Sequence, residues 1–281
     1  MRILVKIGGA QLEQPAARAQ LCQALAAAYR DGHQLVIVHG GGNQIRQLTK
    51  ALGLVDRYHE GLRITDAATA DVVLMTLAGS VNKALVRSLG EHGLDAVGLS
   101  GADGGLFSAA PLVRPGVDLG FVGAIDEVRA DLVELLLQSG RVPVLATVAP
   151  RRRAADETGA DEPFYNLNAD HAAGPLCRAL GCDAALFLSD IPGVLGRERE
   201  LLPVLTPTRC AQLVQEGIAT GGMLPKLEAA LLALRDNPRA LVKIAPANRE
   251  DAVRQALLAD VGTRFVADQD MQQTQTESAH G

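Results

Sequence analysis

Tryptophan is absent from this chain, and three Tyr and five Phe are its only aromatic residues. Such scarcity argues against the stacking platforms on which proteins bind bases or sugars. There is no basic excess either: 27 Lys and Arg stand against 32 Asp and Glu, a net charge of −5, so the positive footprint that nucleic-acid binding needs is missing. The four cysteines, Cys22, Cys177, Cys182 and Cys210, include no Cys-x-x-Cys pair, and no His spacing completes a zinc site. Three of them lie in helix-like runs, where Cys serves as a small buried hydrophobe, and a reducing cytosol fits. Met1-Arg2 leads straight into an apolar run broken by Lys6, too short for a secretory signal, and no run reads as long enough to span a bilayer. Internal repeats and Pro/Ser linkers are lacking.

What remains is a chain of 281 residues, 48% apolar, enough for one large α/β domain or two closely joined lobes around a substantial core. Strand-like and helix-like segments alternate from the start. Arg2 to Ile7 and Leu35 to Val38 read as buried strands, with an Ala- and Leu-rich helix over Pro15 to Arg30 between them and another over Asn43 to Leu52. Helices are expected over 67–89, 131–138, 169–180 and 227–235, and strands over 96–99, 142–148, 184–188 and 241–244. The charged stretch Arg151 to Pro163 reads as a solvated hairpin or loop. This β-α-β alternation predicts one mostly parallel sheet with helices on both faces.

Glycine clusters mark the carboxyl ends of the strands, where open α/β sheets bind ligands. In Lys6-Ile7-Gly8-Gly9, a lysine inside a buried strand is costly unless its charge is paired or used. The two glycines let backbone N–H groups approach a phosphate beside that charge. A lysine snorkelling past an ordinary turn is the plainer reading. His39-Gly40-Gly41-Gly42 repeats the pattern before a helix, a flexible anion cradle, where a plain turn would need one glycine. No Lys-Ser/Thr follows, so it is not a Walker A loop, and the spacing excludes a dinucleotide fingerprint. His39 is as well explained by a structural hydrogen bond as by a ligand contact.

Arg63, in Gly61-Leu62-Arg63-Ile64-Thr65-Asp66, reads as a loop residue ahead of a helix capped by Thr65 or Asp66. It could grip a carboxylate through two parallel hydrogen bonds or be an exposed surface arginine. In Asn166-Leu167-Asn168-Ala169-Asp170, Asn168 and Asp170 read first as helix caps. Gly221-Gly222-Met223-Leu224-Pro225-Lys226 is a second glycine pair followed by a lysine, which a flexible loop would also explain.

Taken together and in this order, from about Arg2 to Ala267, these elements resemble the amino acid kinase family, and within it the branch that phosphorylates N-acylated glutamate. The resemblance implies an α/β three-layer sandwich with a central, mostly parallel sheet. It implies an N-terminal lobe (1–168) for acylglutamate binding and dimerisation, a C-terminal lobe (169–267) for ATP, and a mobile polar tail (268–281). The implied reaction moves the γ-phosphoryl group of ATP onto the γ-carboxylate of N-acetyl-L-glutamate, in arginine biosynthesis.

Residue by residue, Lys6 and Lys226 correspond to lysines that stabilise the transition state, and Asp170 to the acid that holds both. Gly8, Gly9 and Gly41 would offer N–H groups to the phosphates, with Gly41 and Gly42 bordering the acylglutamate. Arg63 and Asn166 would hold its α-carboxylate and nearby atoms. Ser189, Asp190, Gly193, Val194 and Leu195 resemble the loop along ATP, and Ile218, Ala219 and Thr220 the segment closing over it. Mg²⁺ would be held mainly through the ATP phosphates. The acceptor, with an unperturbed pKa of about 4.3, needs no catalytic base; positioning and fixed positive charge must carry the reaction.

The chain departs from the pattern at Asn43, where many relatives have proline, and in the length and charge of 151–163. Rival readings are the related kinase of lysine biosynthesis acting on a carrier-linked aminoadipate or glutamate, kept open by Arg151-Arg152-Arg153, and a non-catalytic amino-acid or nucleotide sensor. Ala10-Gln11 after the first glycines argues against an aspartate kinase. The first strand begins at about residue 3, which leaves no room for the extra N-terminal helix of arginine-inhibited hexameric relatives. The expectation is a cytoplasmic homodimer insensitive to arginine.

Overall fold

The computed structural model describes residues 1–152, 162–258 and 261–270. The chain opens with β1 (Arg2–Ile7), buried from Ile3 onward, followed by α1 (Gly9–Glu13) and α2 (Pro15–Arg30). Pro15 starts α2, where its missing N–H costs no hydrogen bond. β2 (Gln34–His39) leads into α3 (Gly42–Ala51), and a hairpin of β3 (Arg57–His59) and β4 (Leu62–Ile64) follows. Its two-residue turn has positive φ at both Glu60 and Gly61, which suits the right-handed twist of the paired strands. Arg63 therefore sits in a strand rather than in the expected loop. Of the two expected caps, Asp66 is the one used: it accepts from Thr69 N at 2.9 Å and begins α4 (Ala67–Leu74).

That helix runs on through a π-helical stretch, Met75–Val81, into α5 (Asn82–Glu91). Contrary to the sequence reading, Ala67–Glu91 is long and apolar enough to cross a membrane by length and composition, although half of its most apolar window is buried within the protein. The remaining elements are β5 (Ala96–Leu99), β6 (Phe107–Pro111), β7 (Val122–Val128), α6 (Asp131–Gln138), β8 (Val142–Ala146), β9 (Val148–Ala149) and β10 (Tyr165–Leu167). After them come α7 (Ala169–Ala179), β11 (Ala184–Ser189), β12 (Val204–Leu205), α8 (Pro207–Gln215), α9 (Met223–Asp236), β13 (Leu241–Pro246), α10 (Ala252–Leu257) and β14 (Thr263–Phe265). The expected loop at 151–163 and the polar tail fall mostly outside the described residues. Of the tail, Asp268 accepts a hydrogen bond from Thr208 N at 3.3 Å.

Eight strands form the main sheet in the order β12-β14-β13-β11-β1-β2-β8-β5, and every pair is parallel except β13 with β14. A second sheet of four strands (β6-β7-β10-β9) and the β3–β4 hairpin lie apart from it; the single sheet expected from the sequence is thus supplemented by two smaller ones. Thr147 interrupts the predicted run from Val142 to Val148 and splits it between the large sheet and the small one.

β1 occupies the centre, with β2 on one side and β11 on the other. Chain order reverses across it, which opens a crevice at the carboxyl ends of these strands. Alternation divides its side chains: Ile3, Val5 and Ile7 join the core with α2, α5 and α10, whereas Leu4 joins the core with α6, α7 and α9. Lys6 shares the face of Leu4, directed towards α7.

His39, at the end of β2, is fully buried. Its Nδ1 lies 3.1 Å from Gly40 O and its Nε2 3.0 Å from the amide nitrogen of the buried Asn82, the structural alternative of the two readings. Burial pushes its pKa down to about 4 from an ordinary 6.5. Between those values the unfolded chain binds the proton that the folded chain refuses, so stability is lost as pH falls through that window. We predict a loss of about 2 kcal/mol from this residue between pH 7 and pH 5. Urea unfolding at the two pH values should show it, and His39→Gln should flatten the difference.

Candidate active site

Lys6 is 6% exposed, and such a charge is tolerable only with a partner. The partner is Asp170, whose Oδ1 lies 2.6 Å from Lys6 Nζ. That oxygen makes no hydrogen bond of normal angle, so the contact is an ion pair held by distance and charge. Asp170 is free for this because Asn168, not Asp170, caps α7: Asn168 Oδ1 accepts from Asp170 N at 2.9 Å and from His171 N at 3.2 Å.

The two glycine turns meet beside this pair. A Cβ on Gly9 would lie 3.3 Å from Gly42 N and 3.4 Å from Gly41 Cα, and one on Gly41 would lie 2.8 Å from Leu77 Cδ2. Gln44 Nε2 donates to Gly9 O at 3.3 Å and ties the turns together. Asn43 fastens the start of α3 to α1 by donating to Glu13 Oε2 at 3.0 Å.

Two cavities flank the contact. The first, of about 280 Å³, is lined by Lys6, Gly9, Gly41, Gly42, Arg63, Asn166 and Asp170 among others. The second, of about 300 Å³, is lined by Lys6, Gly8, Gly9, Asp170, Ser189, Asp190 and Lys226 among others. Lys6, Gly9, Gly42, Asn43 and Asp170 belong to both. They form the shared wall.

In the first cavity Arg63 is buried, ion-paired through Nη1 with Asp56, and donates from Nη2 to Gly42 O at 3.0 Å. Burial, then the charge of Arg46, lowers its pKa to about 10, so it stays charged at neutral pH. Asn166 Nδ2 donates to Thr65 Oγ1 at 3.2 Å. Arg46 and Tyr58, which the sequence reading missed, also line this cavity. Only their positions could have signalled them: Arg46 lies one helical turn past Gly42, and Tyr58 lies opposite Arg63 in the hairpin.

In the second cavity, Lys226 stands in the first turn of α9. The helix starts four residues earlier than the periodicity suggests. Among the described residues, Asp170 is ion-paired with Lys6 and not with Lys226, so only one of the two expected lysine contacts is formed.

Six expected residues line neither cavity. Gly193 takes φ 148°, and a Cβ there would meet Leu201 Cδ1 at 2.6 Å. Val194 is buried, its N–H donating to Thr263 Oγ1 at 2.8 Å, and Leu195 bridges to Leu201. Ile218 and Ala219 both donate to Leu213 O, and the exposed Thr220 leads into α9.

This arrangement can be compared with known proteins. A profile described as the amino acid kinase family matches residues 1–243. The chain belongs to the amino acid kinase family. A curated relative named acetylglutamate kinase, from Koribacter versatilis, is 40% identical over 95% of this chain and 99% of its own length. The fold is also that of N-acetylglutamate synthase from Neisseria gonorrhoeae (20% identity, TM-score 0.80, 94% of this chain and 59% of that one). It is shared with Giardia carbamate kinase (15% identity, TM-score 0.68, 95% and 99%).

The shared wall between the two cavities contains one buried ion pair, and that has an energetic consequence. Asp170→Leu leaves Lys6 a buried unpaired charge and should cost about 3–5 kcal/mol in denaturant unfolding. The double variant Lys6→Met/Asp170→Leu should recover most of that loss. A double variant no more stable than Asp170→Leu would show that the pair is not isolated.

Proposed function

We propose that this chain transfers the γ-phosphoryl group of ATP to the γ-carboxylate of N-acetyl-L-glutamate, forming N-acetyl-L-glutamyl 5-phosphate and ADP. The observation that carries the reading is the pair of cavities divided by Lys6, Gly9, Gly42, Asn43 and Asp170. A phosphoryl group passing between two substrates needs such a shared wall, with positive charge and N–H donors in it. The relatives named acetylglutamate kinase, which match nearly the whole chain, supply the acceptor.

In this reading a γ-carboxylate oxygen attacks the γ-phosphorus while the bond to the β-phosphate oxygen breaks, and ADP leaves with that electron pair. Both reactants are anions, so their repulsion dominates the barrier. Lys6 and Lys226 neutralise the transferring group, and Asp170 orients Lys6. N–H groups of Gly8, Gly9 and Gly41 take the developing charge. Arg63 and Asn166 bind the amino-acid end of the acceptor, with Gly42 beside it. Ser189 and Asp190, which line the second cavity, border the phosphates of the nucleotide; Gly193, Val194, Leu195, Ile218, Ala219 and Thr220, which lie outside it, are assigned to the rest of the nucleotide on the family resemblance.

The donor set of lysines and glycine N–H groups suits a polyphosphate carrying its own Mg²⁺. Of the carboxylates lining the second cavity, Asp170 is paired with Lys6 and Asp190 accepts from Ser189 Oγ at 2.9 Å. Mg²⁺ would supply charge neutralisation along the phosphates. A cytoplasmic homodimer belongs to the same reading and stands on the family resemblance alone, as does the division into lobes at 1–168 and 169–267.

A carrier-linked acceptor is less well supported. Two arginines of the basic run that would meet an acidic carrier are compensated within the chain: Arg151 pairs with Glu162 at 3.1 Å and Arg152 with Glu127 at 3.2 Å.

Incubation with Mg-ATP, N-acetyl-L-glutamate and hydroxylamine should yield a hydroxamate and stoichiometric ADP. One transition-state donor is worth about 3–4 kcal/mol, so Lys6→Ala and Lys226→Ala should each lower kcat by about a hundredfold or more. Near-normal kcat in both variants would overturn the assignment.

A further inference from the structure

The pairing of β1 with β11 ends at Ile7 and Leu188. One step further, Gly8 would stand beside Ser189, and in a continuing parallel ladder the Gly8 carbonyl would accept from Asp190 N. A side chain takes the place of that bond. Gln11, half-buried in α1 and part of the lining of the second cavity, turns its amide back between the two strand ends. In the orientation that satisfies both neighbours, its Nε2 donates to Gly8 O and its Oε1 accepts from Asp190 N, each at 3.1 Å. The amide stands in for the missing rung and holds the strand ends further apart than a direct bond would.

The interposed amide widens the floor of the crevice without orphaning either backbone group. It also fixes a peptide that its residues would leave loose, because neither Gly8 nor Gly9 has a Cβ to restrict its backbone. The Gly8–Gly9 bond is trans, so the Gly9 N–H points opposite to the Gly8 carbonyl. Holding Gly8 O towards Gln11 therefore holds the Gly9 N–H away from it, and Gly9 belongs to the wall shared by both cavities. Gln44 treats the next carbonyl alike, donating to Gly9 O at 3.3 Å. α1 is itself tied to α3: Glu13 accepts from Asn43 Nδ2 at 3.0 Å and from Gln47 Nε2 at 3.1 Å. Gln11 is thus presented from a fixed base.

We infer that Gln11 is a positioning residue for phosphoryl transfer. It touches no reacting atom. It spaces the ends of β1 and β11 and aims the Gly8–Gly9 peptide, so that an N–H donor is in place before the phosphoryl group moves. The inference rests on the phosphotransfer reading of this site.

The test uses two variants. Gln11→Met fills the same gap without hydrogen bonds, whereas Gln11→Glu can still accept from Asp190 N but cannot donate to Gly8 O. With Mg-ATP and N-acetyl-L-glutamate, each should lower kcat about tenfold, the scale of one lost hydrogen bond, with both KM values within about twofold of wild type. Amide hydrogen exchange reads the clamp without turnover. Asp190 lies just past β11 in an exposed position, so its N–H should exchange at least about tenfold more slowly in wild type and in Gln11→Glu than in Gln11→Met. Normal kcat in both variants, a loss confined to KM, or an unprotected Asp190 amide in the wild-type protein would overturn the inference and leave phosphoryl transfer standing. A protected Asp190 amide in a wild-type protein that forms no hydroxamate would instead sink the phosphotransfer reading and leave the Gln11 clamp in place.

Discussion

Burying a lysine in the central strand of the sheet is the constraint around which the rest is arranged. Lys6 lies between β2 and β11, opposite Val38 and Phe187 in the parallel register, where little of it reaches water. Its charge survives only because α7 brings Asp170 to the same face. That requires α7 to begin at the level of the strand ends, which Asn168 secures by capping it. It also requires Asp170 to be released from capping. The tight packing of α7 on α9, where a Cβ on Gly174 would lie 3.0 Å from Ala233 Cα, then aligns the first turn of α9, and with it Lys226, beside the same crevice.

The parts of this arrangement written in local pattern were legible in the sequence. Buried apolar runs announced β1, β2, β8, β11 and β13, and helical periodicity announced α2, α3, α6 and α7, because burial on one face leaves a period that can be read directly. The glycine turns were legible for a different reason: clustered glycines at strand ends have few structural explanations. The small sheet escaped. β9 and β10 have only two and three residues, too short for any period to emerge. β7 alternates poorly, with Glu127 and Asp126 on a half-exposed strand. α8 is amphipathic but short, and its Pro207 start reads as a break until Thr206 is seen to cap it.

Side-chain partnerships were less legible than elements. Nothing local distinguishes Asp170 as the partner of a lysine 164 residues away in sequence from Asp170 as a helix cap; both are Asp at a helix start. Arg63 shows the same limit. Its hairpin position, its stacking on Tyr58 and its commitment to Asp56 depend on a two-residue turn at Glu60-Gly61. Periodicity carries no information about that turn, although Gly61 gives a hint. The family resemblance supplied the pairing of Asp170 with Lys6, because motif order encodes tertiary contacts that spacing alone does not, but it supplied neither the Tyr58 nor the Asp56 contact of Arg63.

The same charge balance bears on the second lysine. Asp170 contributes one negative charge and is already within 2.6 Å of Lys6. A second ammonium drawn equally close would face repulsion from the first of about 1–4 kcal/mol at 4 Å, depending on local solvation, together with a side-chain ordering cost of up to about 2 kcal/mol. Half-buried in the first turn of α9, just after the positive-φ Gly221, Lys226 keeps clear of that conflict. An incoming phosphate reverses the sign of the interaction, because three anionic oxygens need more positive charge than Lys6 alone supplies. On this argument the two lysines are unequal in their surroundings: Lys6 is fixed by the fold, whereas in the proposed reaction Lys226 would be recruited by the charge of the transferring group.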